Sequence, residues 1–162
     1  MAPSLAHCGI CTGEAMPTTT LREAIVSLLS GDATLGTTLT GGVYNRRDLS
    51  RTATPSAYNT TTGDIKPCAV VTMSTPVQEA IKEAAFERDW FQVWLYEAEG
   101  NNYANIDIAA DRVIALLHRQ TVTVSPGGIH EIQYADGLGD SYDDVLRCEM
   151  SYLRFWAWRY RG

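Results

Sequence analysis

The chain has 162 residues, of which 45% are hydrophobic and 20% charged, a composition typical of a one-domain globular protein. Its formal net charge of −6 argues against general nucleic-acid binding, which needs clustered Lys and Arg to neutralise phosphates. No apolar run is long enough for a membrane span, and the N-terminus lacks the basic start and apolar stretch of a signal peptide, so we expect an aqueous compartment.

The first part of the chain predicts a flexible arm followed by a helix. Residues 1–17 have no regular period, so they are interpreted as an N-terminal arm preceding a domain over 18–162. Thr20 and Glu23 have the spacing of a capping box, and Gly31 stands where a left-handed residue ends a helix. A helix over about 20–30 follows, with one apolar face made of Leu21, Ala24, Ile25, Leu28 and Leu29.

A short strand and a long polar segment come next. Gly41 to Tyr44 predicts a turn that leads into a strand. Residues 46–66 are rich in Thr and Ser and nearly devoid of apolar side chains, so we expect a long exposed loop or an extended hairpin. Loops of this length inside compact domains are usually functional or disordered.

Two apolar strands are expected in the middle of the chain. Cys68 to Met73 reads as a strand buried on both faces, and Trp90 to Tyr96 is a second, rich in aromatic and β-branched residues. The acidic stretch between them, Pro76 to Arg88, fits either one or two helical turns or a widened hairpin connection.

The last part predicts a second helix and a hairpin. The helix begins near Asn101 or Asn102, either of which suits an N-cap. Thr121 to Val124 alternates as a strand, Ser125 to Gly128 has the Pro and Gly of a type II turn, and Ile129 to Tyr134 returns as the partner strand. His118 and Arg119 suit the negative C-terminal end of the helix. Its apolar residues share one face: Ile106, Ala109, Ala110, Val113 and Leu117.

An acidic loop and a long final strand complete the predicted fold. Residues 136–144 are expected to form the loop. In the strand that follows, apolar residues fall at period-two positions, interrupted on that face by Arg154: Leu146, Cys148, Met150, Tyr152, Trp156 and Trp158. The predicted fold class is α+β, an antiparallel sheet packed against two helices with a long hairpin or loop excursion.

Two basic groups are the candidate interaction sites. One lies at the start of the long loop and the other mixes with aromatic side chains at the C-terminus. Arg, Trp and Tyr are the usual hot-spot residues of protein interfaces, and the same mixture can stack on nucleic acid. Because another segment is acidic (Glu79 to Glu99), head-to-tail self-association in a ring is favoured over a solvated loop and an ordinary edge strand. The candidate interface residues are Arg46, Arg47, Arg51, Arg154, Trp156, Trp158, Arg159 and Tyr160.

Metal and catalytic motifs are incomplete. His7, Cys8 and Cys11 could supply soft ligands to zinc, but no second pair completes the set, and incidental thiols are the better interpretation. Asp136, Asp140, Asp143 and Asp144 do not fit an EF-hand register and favour a solvated turn. No nucleophile elbow or phosphate-binding loop occurs. We expect no enzyme activity, cofactor or metal. Cys68 and Cys148 suit buried hydrophobes of a reducing cytoplasm.

The order of elements resembles that of the tail-terminator (tail-completion, head–tail joining) proteins of long-tailed phages. The resemblance covers about residues 18–160 and is carried by LREAIVSLLSGDATLG, Gly-Gly-Val-Tyr, the strand preceded by Pro67, and FQVWLYEAEGNNYANIDIAADRVIALLH. It implies a virion protein, assembled in the host cytoplasm, that forms a homo-oligomeric ring, commonly a hexamer. Such a ring caps the tail tube, stops its polymerisation and docks to the head-side connector or stopper.

Three functional hypotheses follow in order of preference. The first is a tail-terminator ring with tail-tube and connector proteins as partners, non-specific proximity to channel DNA, and no membrane. The second is another neck, connector, stopper or tail-tube protein of the virion. The third is a small metal- or ligand-binding domain.

Overall fold

The computed structural model describes residues 20–45, 49–74, 86–125 and 128–160. Within them, six strands form one sheet, and three α-helices pack on one of its faces. No helix in this part of the chain combines the length and the apolar character that crossing a membrane requires. The elements are α1 Leu21–Ser30, α2 Ala33–Thr38, β1 Gly42–Tyr44, β2 Cys68–Met73, β3 Phe86–Ala98, α3 Ala104–Leu117, β4 Thr121–Val124, β5 Gly128–Asp143 and β6 Cys148–Tyr160.

The six strands follow the order β1-β2-β3-β6-β5-β4. The two central strands, β3 and β6, pair over their whole length, from Phe86 opposite Tyr160 to Ala98 opposite Cys148. All neighbours are antiparallel except β1 and β2, which pair in parallel. The predicted antiparallel sheet with two helices is therefore largely confirmed, with two differences: one parallel edge pair and the short helix α2.

Helix α1 begins as its sequence predicts. The Thr20 hydroxyl accepts a hydrogen bond from the Glu23 N–H, and the Glu23 carboxylate accepts one from the Thr20 N–H, which completes the capping box. The expectation of a left-handed Gly31 is wrong, because Gly31 has φ −79° and ψ −10°. The chain instead passes directly into α2, for which Asp32 is the N-cap and accepts a hydrogen bond from the Leu35 N–H.

The main core lies between the helices and one face of the sheet. Alternate residues of the central strands point to this face, and the stacked rings of Phe91 and Phe155, 5.2 Å apart, lie near its middle. Helix α1 supplies Ile25 and Leu29, and α3 supplies its predicted apolar stripe. The fully buried members include Ile25, Leu29, Val71, Phe91, Val93, Leu95, Ala109, Val113, Leu117, Ile132, Phe155 and Ala157.

A second, smaller core forms on the opposite face of the sheet. Leu49, Ala57 and Ile65, all from the long polar segment, pack against Cys68, Val70 and Cys148. Thr54, in the same segment, is 1% exposed. The expectation of a wholly exposed loop is therefore wrong for residues 49–66, because a few apolar side chains are enough to cover one end of this sheet face. The first three residues of the predicted loop, 46–48, lie outside the part of the chain that the structure describes.

The start of α3 differs from the expected N-cap at Asn101 or Asn102. The N-cap is Tyr103, which has φ 58° and makes no capping hydrogen bond with its own side chain. Two buried carboxylates from the sheet cap the helix instead. Glu149 accepts hydrogen bonds from the N–H groups of Gly100, Asn102 and Tyr103, and Glu97 accepts one from the Asn105 N–H. A helix N-terminus favours such negative charge.

Two strands extend further than their sequences indicate. The acidic segment expected as a loop over 136–144 continues β5 to Asp143 and pairs with β6, with irregular register after Tyr134 and Leu138. Strand β3 begins at Phe86, so the described end of the undecided stretch 76–88 is strand. Pairing with a long central strand satisfies the backbone of residues that have little strand propensity of their own.

A charged contact joins α3 to the start of α2. The Arg112 guanidinium of α3 donates two hydrogen bonds to Asp32, Nε to Oδ1 at 3.1 Å and a terminal nitrogen to Oδ2 at 2.5 Å. The hydrogen bonds from Arg112, together with the Leu35 N–H, lower the pKa of Asp32 from 3.8 to about 2. Folding therefore stabilises the ionised form of the Asp32 carboxylate.

We expect this contact to give a pH-dependent stability. A carboxylate whose pKa is depressed by folding stabilises the protein above its unfolded pKa, so the contribution is complete at neutral pH and is lost as the pH falls from about 4 to about 2. Asp32→Asn keeps a good N-cap but removes the charge. The melting temperature of the variant should lie below that of the wild type at neutral pH and converge with it in acid. A constant difference across this range would contradict the assignment.

Candidate protein-interaction face

A row of tryptophan and arginine side chains crosses the face of the sheet opposite the three α-helices. In the pairing of β3 with β6, Arg88 lies opposite Trp158 and Trp90 lies opposite Trp156. Arg154 follows on the same face of β6, because side chains two residues apart point the same way. These five residues, Arg88, Trp90, Arg154, Trp156 and Trp158, are called the tryptophan–arginine face.

Stacking between cations and indoles organises this face. The Arg88 guanidinium lies 4.3 Å from the Trp158 ring centroid, 5.1 Å from that of Trp156 and 5.8 Å from that of Trp90. Arg154 lies 5.4 Å from the Trp90 centroid, and Trp156 and Trp158 meet edge to face at 4.9 Å. Each such cation–π contact stabilises its arrangement by about 0.5–1 kcal/mol at an exposed site. The guanidinium groups and the indole rings thus stabilise one another on this face of the sheet.

An ion pair borders the face on its β5 side. Arg154 donates a hydrogen bond to Asp136, which raises the pKa of the guanidinium further above its usual value. Both side chains are nearly half exposed, at 42% and 48%. Exposed pairs contribute about 0–1 kcal/mol, so this ion pair adds little to the stability of the fold.

The rest of the same sheet face is closed by aromatic contacts and by the loop. Trp94 packs against Tyr152 with ring centroids 4.8 Å apart, and its indole N–H donates to the side-chain amide oxygen (Oε1) of Gln92 at 3.2 Å. A shallow open depression adjoins this pair, lined by Thr72, Met73, Ser74, Gln92, Trp94, Tyr96, Asp143 and Met150. The loop core over Cys68 and Cys148 lies beyond it.

The structure separates Arg51 from the described candidates of the C-terminal group. Arg51 lies in the loop, where its guanidinium donates to the Gly63 carbonyl at 3.0 Å and lies 5.8 Å from the Tyr58 ring centroid. Because Tyr58 belongs to the loop core, Arg51 lies toward the Cys148 end of β6, away from Trp156 and Trp158. Of the other candidates, Arg46 and Arg47 lie outside the described residues, as do the side chains of Arg159 and Tyr160.

Two members of the face, Arg88 and Trp90, were absent from the sequence-based candidates. Their alternation, continued by Trp94, matches the alternation of Arg154, Trp156 and Trp158, and this pattern was visible in the sequence. The register that places Trp90 opposite Trp156 was not, because it depends on which strands pair.

Two of the aspartates considered for metal binding have structural partners: Asp136 accepts a hydrogen bond from Arg154, and Asp143 accepts hydrogen bonds from the N–H groups of Val145 and Leu146. No cluster of three His, Cys, Asp or Glu side chains suited to a metal occurs among the residues that the structure describes. His118 is the C-cap of α3, near the predicted position, and its Nδ1 accepts a hydrogen bond from the Tyr134 N–H at 3.1 Å. His7, Cys8 and Cys11 lie outside the described residues.

The two described cysteines are expected to resist modification. Burial raises the pKa of both Cys68 and Cys148 to about 12, and both thiols are free. Since the thiolate is the nucleophile, alkylation of the folded protein at mildly alkaline pH should be slower by roughly a thousandfold or more than in denaturant. Mass spectrometry of each cysteine peptide measures this difference. Equal labelling of Cys148 in the folded and the unfolded protein would disprove its placement beneath the loop.

Comparison with known proteins shows similarity at the level of the fold. No protein-family model matches the chain, and no curated protein sequence matches it. A chain described as part of the "Virion of native gene transfer agent (GTA) particle" superposes with a TM-score of 0.65 at 16% identity, covering 86% of this chain and 93% of that one. A second solved structure gives a TM-score of 0.55 at 15% identity, covering 87% and 94% respectively.

These two likenesses extend over nearly the whole of each matched chain. The shared fold therefore includes the central sheet and its helices and is not confined to one supersecondary motif. At sequence identities of 16% and 15%, these likenesses show a similar fold and nothing about function.

Proposed function

We propose that this protein is a structural subunit of a phage-like virion particle and acts through protein contacts without catalysing a reaction. The observation that supports this most is the fold likeness to a chain of a gene transfer agent virion, which spans 86% of this chain. The tryptophan–arginine face adds support, because preformed arrays of Trp and Arg are typical of the centres of protein interfaces.

Within such a particle we favour the position of a tail terminator at the head–tail junction. The basis is the order of sequence motifs over residues 18–160 that resembles the tail-terminator proteins. The protein would form a ring, commonly a hexamer among the tail-terminator proteins, on the open end of the tail tube. The ring would leave no matching surface for the next tube subunit and would present a docking surface to the head-side connector or stopper.

Binding to isolated tail tubes tests this assignment. We expect the purified protein to form a closed ring, seen as one discrete mass by light scattering, and negative-stain images to show a single extra ring at one end of each tube. A protein that stays monomeric and leaves tube ends bare would contradict the proposal.

The same images separate the other positions in the virion. A tail-tube subunit would assemble into long stacks, since each ring offers a surface for the next, whereas a terminator stops after one ring. A connector or stopper subunit would bind the head-side component and leave the tube unoccupied. Both outcomes would keep the structural class and reject the terminator.

A further inference from the structure

Residues 49–66, the segment that covers one end of the sheet face opposite the α-helices, are called the strap. The second half of the strap closes on itself as a small hairpin. The Lys66 N–H donates a hydrogen bond to the Ala57 carbonyl at 2.7 Å, and the Asn59 N–H donates one to the Asp64 carbonyl at 2.8 Å. Both bonds join residues of the strap to each other, so neither depends on contact with the sheet.

The first half of the strap is held to this hairpin and to itself. The Arg51 guanidinium donates to the Gly63 carbonyl at 3.0 Å and lies 5.8 Å from the Tyr58 ring centroid. The Thr54 hydroxyl donates to the Ser50 carbonyl at 2.9 Å and accepts from the Ser50 N–H at 3.1 Å. The strap therefore has a hydrogen-bonded structure of its own, which can persist when its contact with the sheet is broken.

A small apolar core makes the contact between the strap and the sheet, and a hydrogen bond between the Tyr44 hydroxyl and Ser56 Oγ, 3.0 Å apart, adds to it. Six described buried residues form this core, whereas twenty form the main core on the opposite face of the sheet. Because hydrophobic stabilisation scales with the apolar area removed from water, the strap is held much more weakly than the main core. The six residues are Leu49, Ala57 and Ile65 of the strap and Cys68, Val70 and Cys148 of the strands.

We infer that the strap undocks from the sheet as one unit while the main core stays folded, which makes it a cover that opens and closes over Cys68 and Cys148. Proteins open locally in cooperative units whose free energies lie below that of global unfolding. Cys68 lies on β2 and Cys148 on β6, far apart in the chain, yet both are fully buried in the core beneath the strap. One opening event therefore uncovers both thiols. Such a cover is independent of the virion assignment.

Thiol labelling of two variants tests whether the strap opens alone. Iodoacetamide reacts with a buried thiol only after the thiol is exposed, so the labelling rate reports the opening equilibrium when closing is fast. Ile65→Ala weakens the contact of the strap and should speed the labelling of both Cys68 and Cys148 by about a hundredfold. Val113→Ala is the matched control, because Val113 is fully buried in the main core. It should leave both labelling rates within about twofold of those of the wild type.

The urea dependence of the wild type gives a second measurement that needs no substitution. The slope of an opening free energy with urea scales with the surface that the opening exposes. Opening of the strap exposes little surface, so the labelling rates of Cys68 and Cys148 should rise weakly with urea below the unfolding transition. Hydrogen exchange of main-core amides, such as that of Phe155, should rise steeply over the same range. Mass spectrometry of separate peptides measures both quantities.

Three results would overturn the inference. If Val113→Ala speeds the labelling of both thiols as much as it speeds main-core exchange, the cysteines are exposed only by global unfolding. Equal urea slopes for thiol labelling and main-core exchange would mean the same. If Ile65→Ala speeds the labelling of one thiol and not the other, the strap frays in parts and does not open as a unit. Each of these results leaves the virion assignment standing, because binding to tail tubes tests it separately.

Discussion

Glu149→Ala should lower the free energy of unfolding by about 3 kcal/mol. The Glu149 carboxylate accepts hydrogen bonds from the N–H groups of Gly100, Asn102 and Tyr103, the last at 2.8 Å. Removing the acceptor leaves backbone donors of a partly buried turn without their partner, and it removes negative charge from the start of α3. Denaturant unfolding followed by circular dichroism measures the loss.

Glu99→Ala is the matched control for this change. Glu99 is an exposed carboxylate of the same turn, and its described hydrogen bond is with the Tyr142 hydroxyl at the surface. Its removal should change the stability by less than about 0.5 kcal/mol. Equal losses for the two variants would mean that Glu149 does not cap the helix.

Ile65→Ala should also lower the free energy of unfolding, by about 3 kcal/mol. Ile65 is 3% exposed and belongs to the loop core that covers Cys68, Val70 and Cys148. Shortening its side chain removes buried apolar surface and leaves a cavity beneath the loop. We therefore also expect faster alkylation of Cys68 in the folded protein, because local opening of the loop exposes the thiol. Thermal and denaturant unfolding measure the first effect, and mass spectrometry the second.

Thr61→Ala, in the same loop, separates packing from a general effect of loop substitution. Thr61 is exposed, and its described hydrogen bond is made by its backbone N–H to the Asn59 side chain, which the substitution preserves. Its stability should match that of the wild type within about 0.5 kcal/mol. An Ile65→Ala variant that is as stable as Thr61→Ala would show that the loop does not pack on the sheet.

The elements that could be predicted from the sequence are those that depend on residues close together in the chain. The capping box of Thr20 and Glu23, the apolar stripe of α3 and the alternation of β6 each depend on residues within one or two turns or strand repeats, and all three are present in the structure. The composition of the C-terminal strand was also enough to single out Arg154, Trp156 and Trp158.

Features that depend on residues far apart in the chain were missed, or the predictions for them were wrong. The acidic segment after Tyr134 has the composition of a loop, yet it is strand because β6 provides its hydrogen-bonding partner. The start of α3 was assigned to a local asparagine, although the cap comes from Glu149, more than forty residues later in the chain. Burial of Ile65 likewise depends on contact with the loop core around Cys148, which lies on β6 far away in the chain.

Local residue patterns are enough to predict strands and helices around an apolar core, and a final strand that alternates aromatic and basic side chains with apolar ones. The tertiary structure alone decided that Arg88 and Trp90 join those side chains, because the pairing of β3 with β6 sets the register. It also decided that the loop covers one end of that sheet face and leaves the tryptophan–arginine face at the other. Side-chain periodicity is encoded over a few residues, whereas register and loop docking depend on free energies summed over strands that are far apart in the chain.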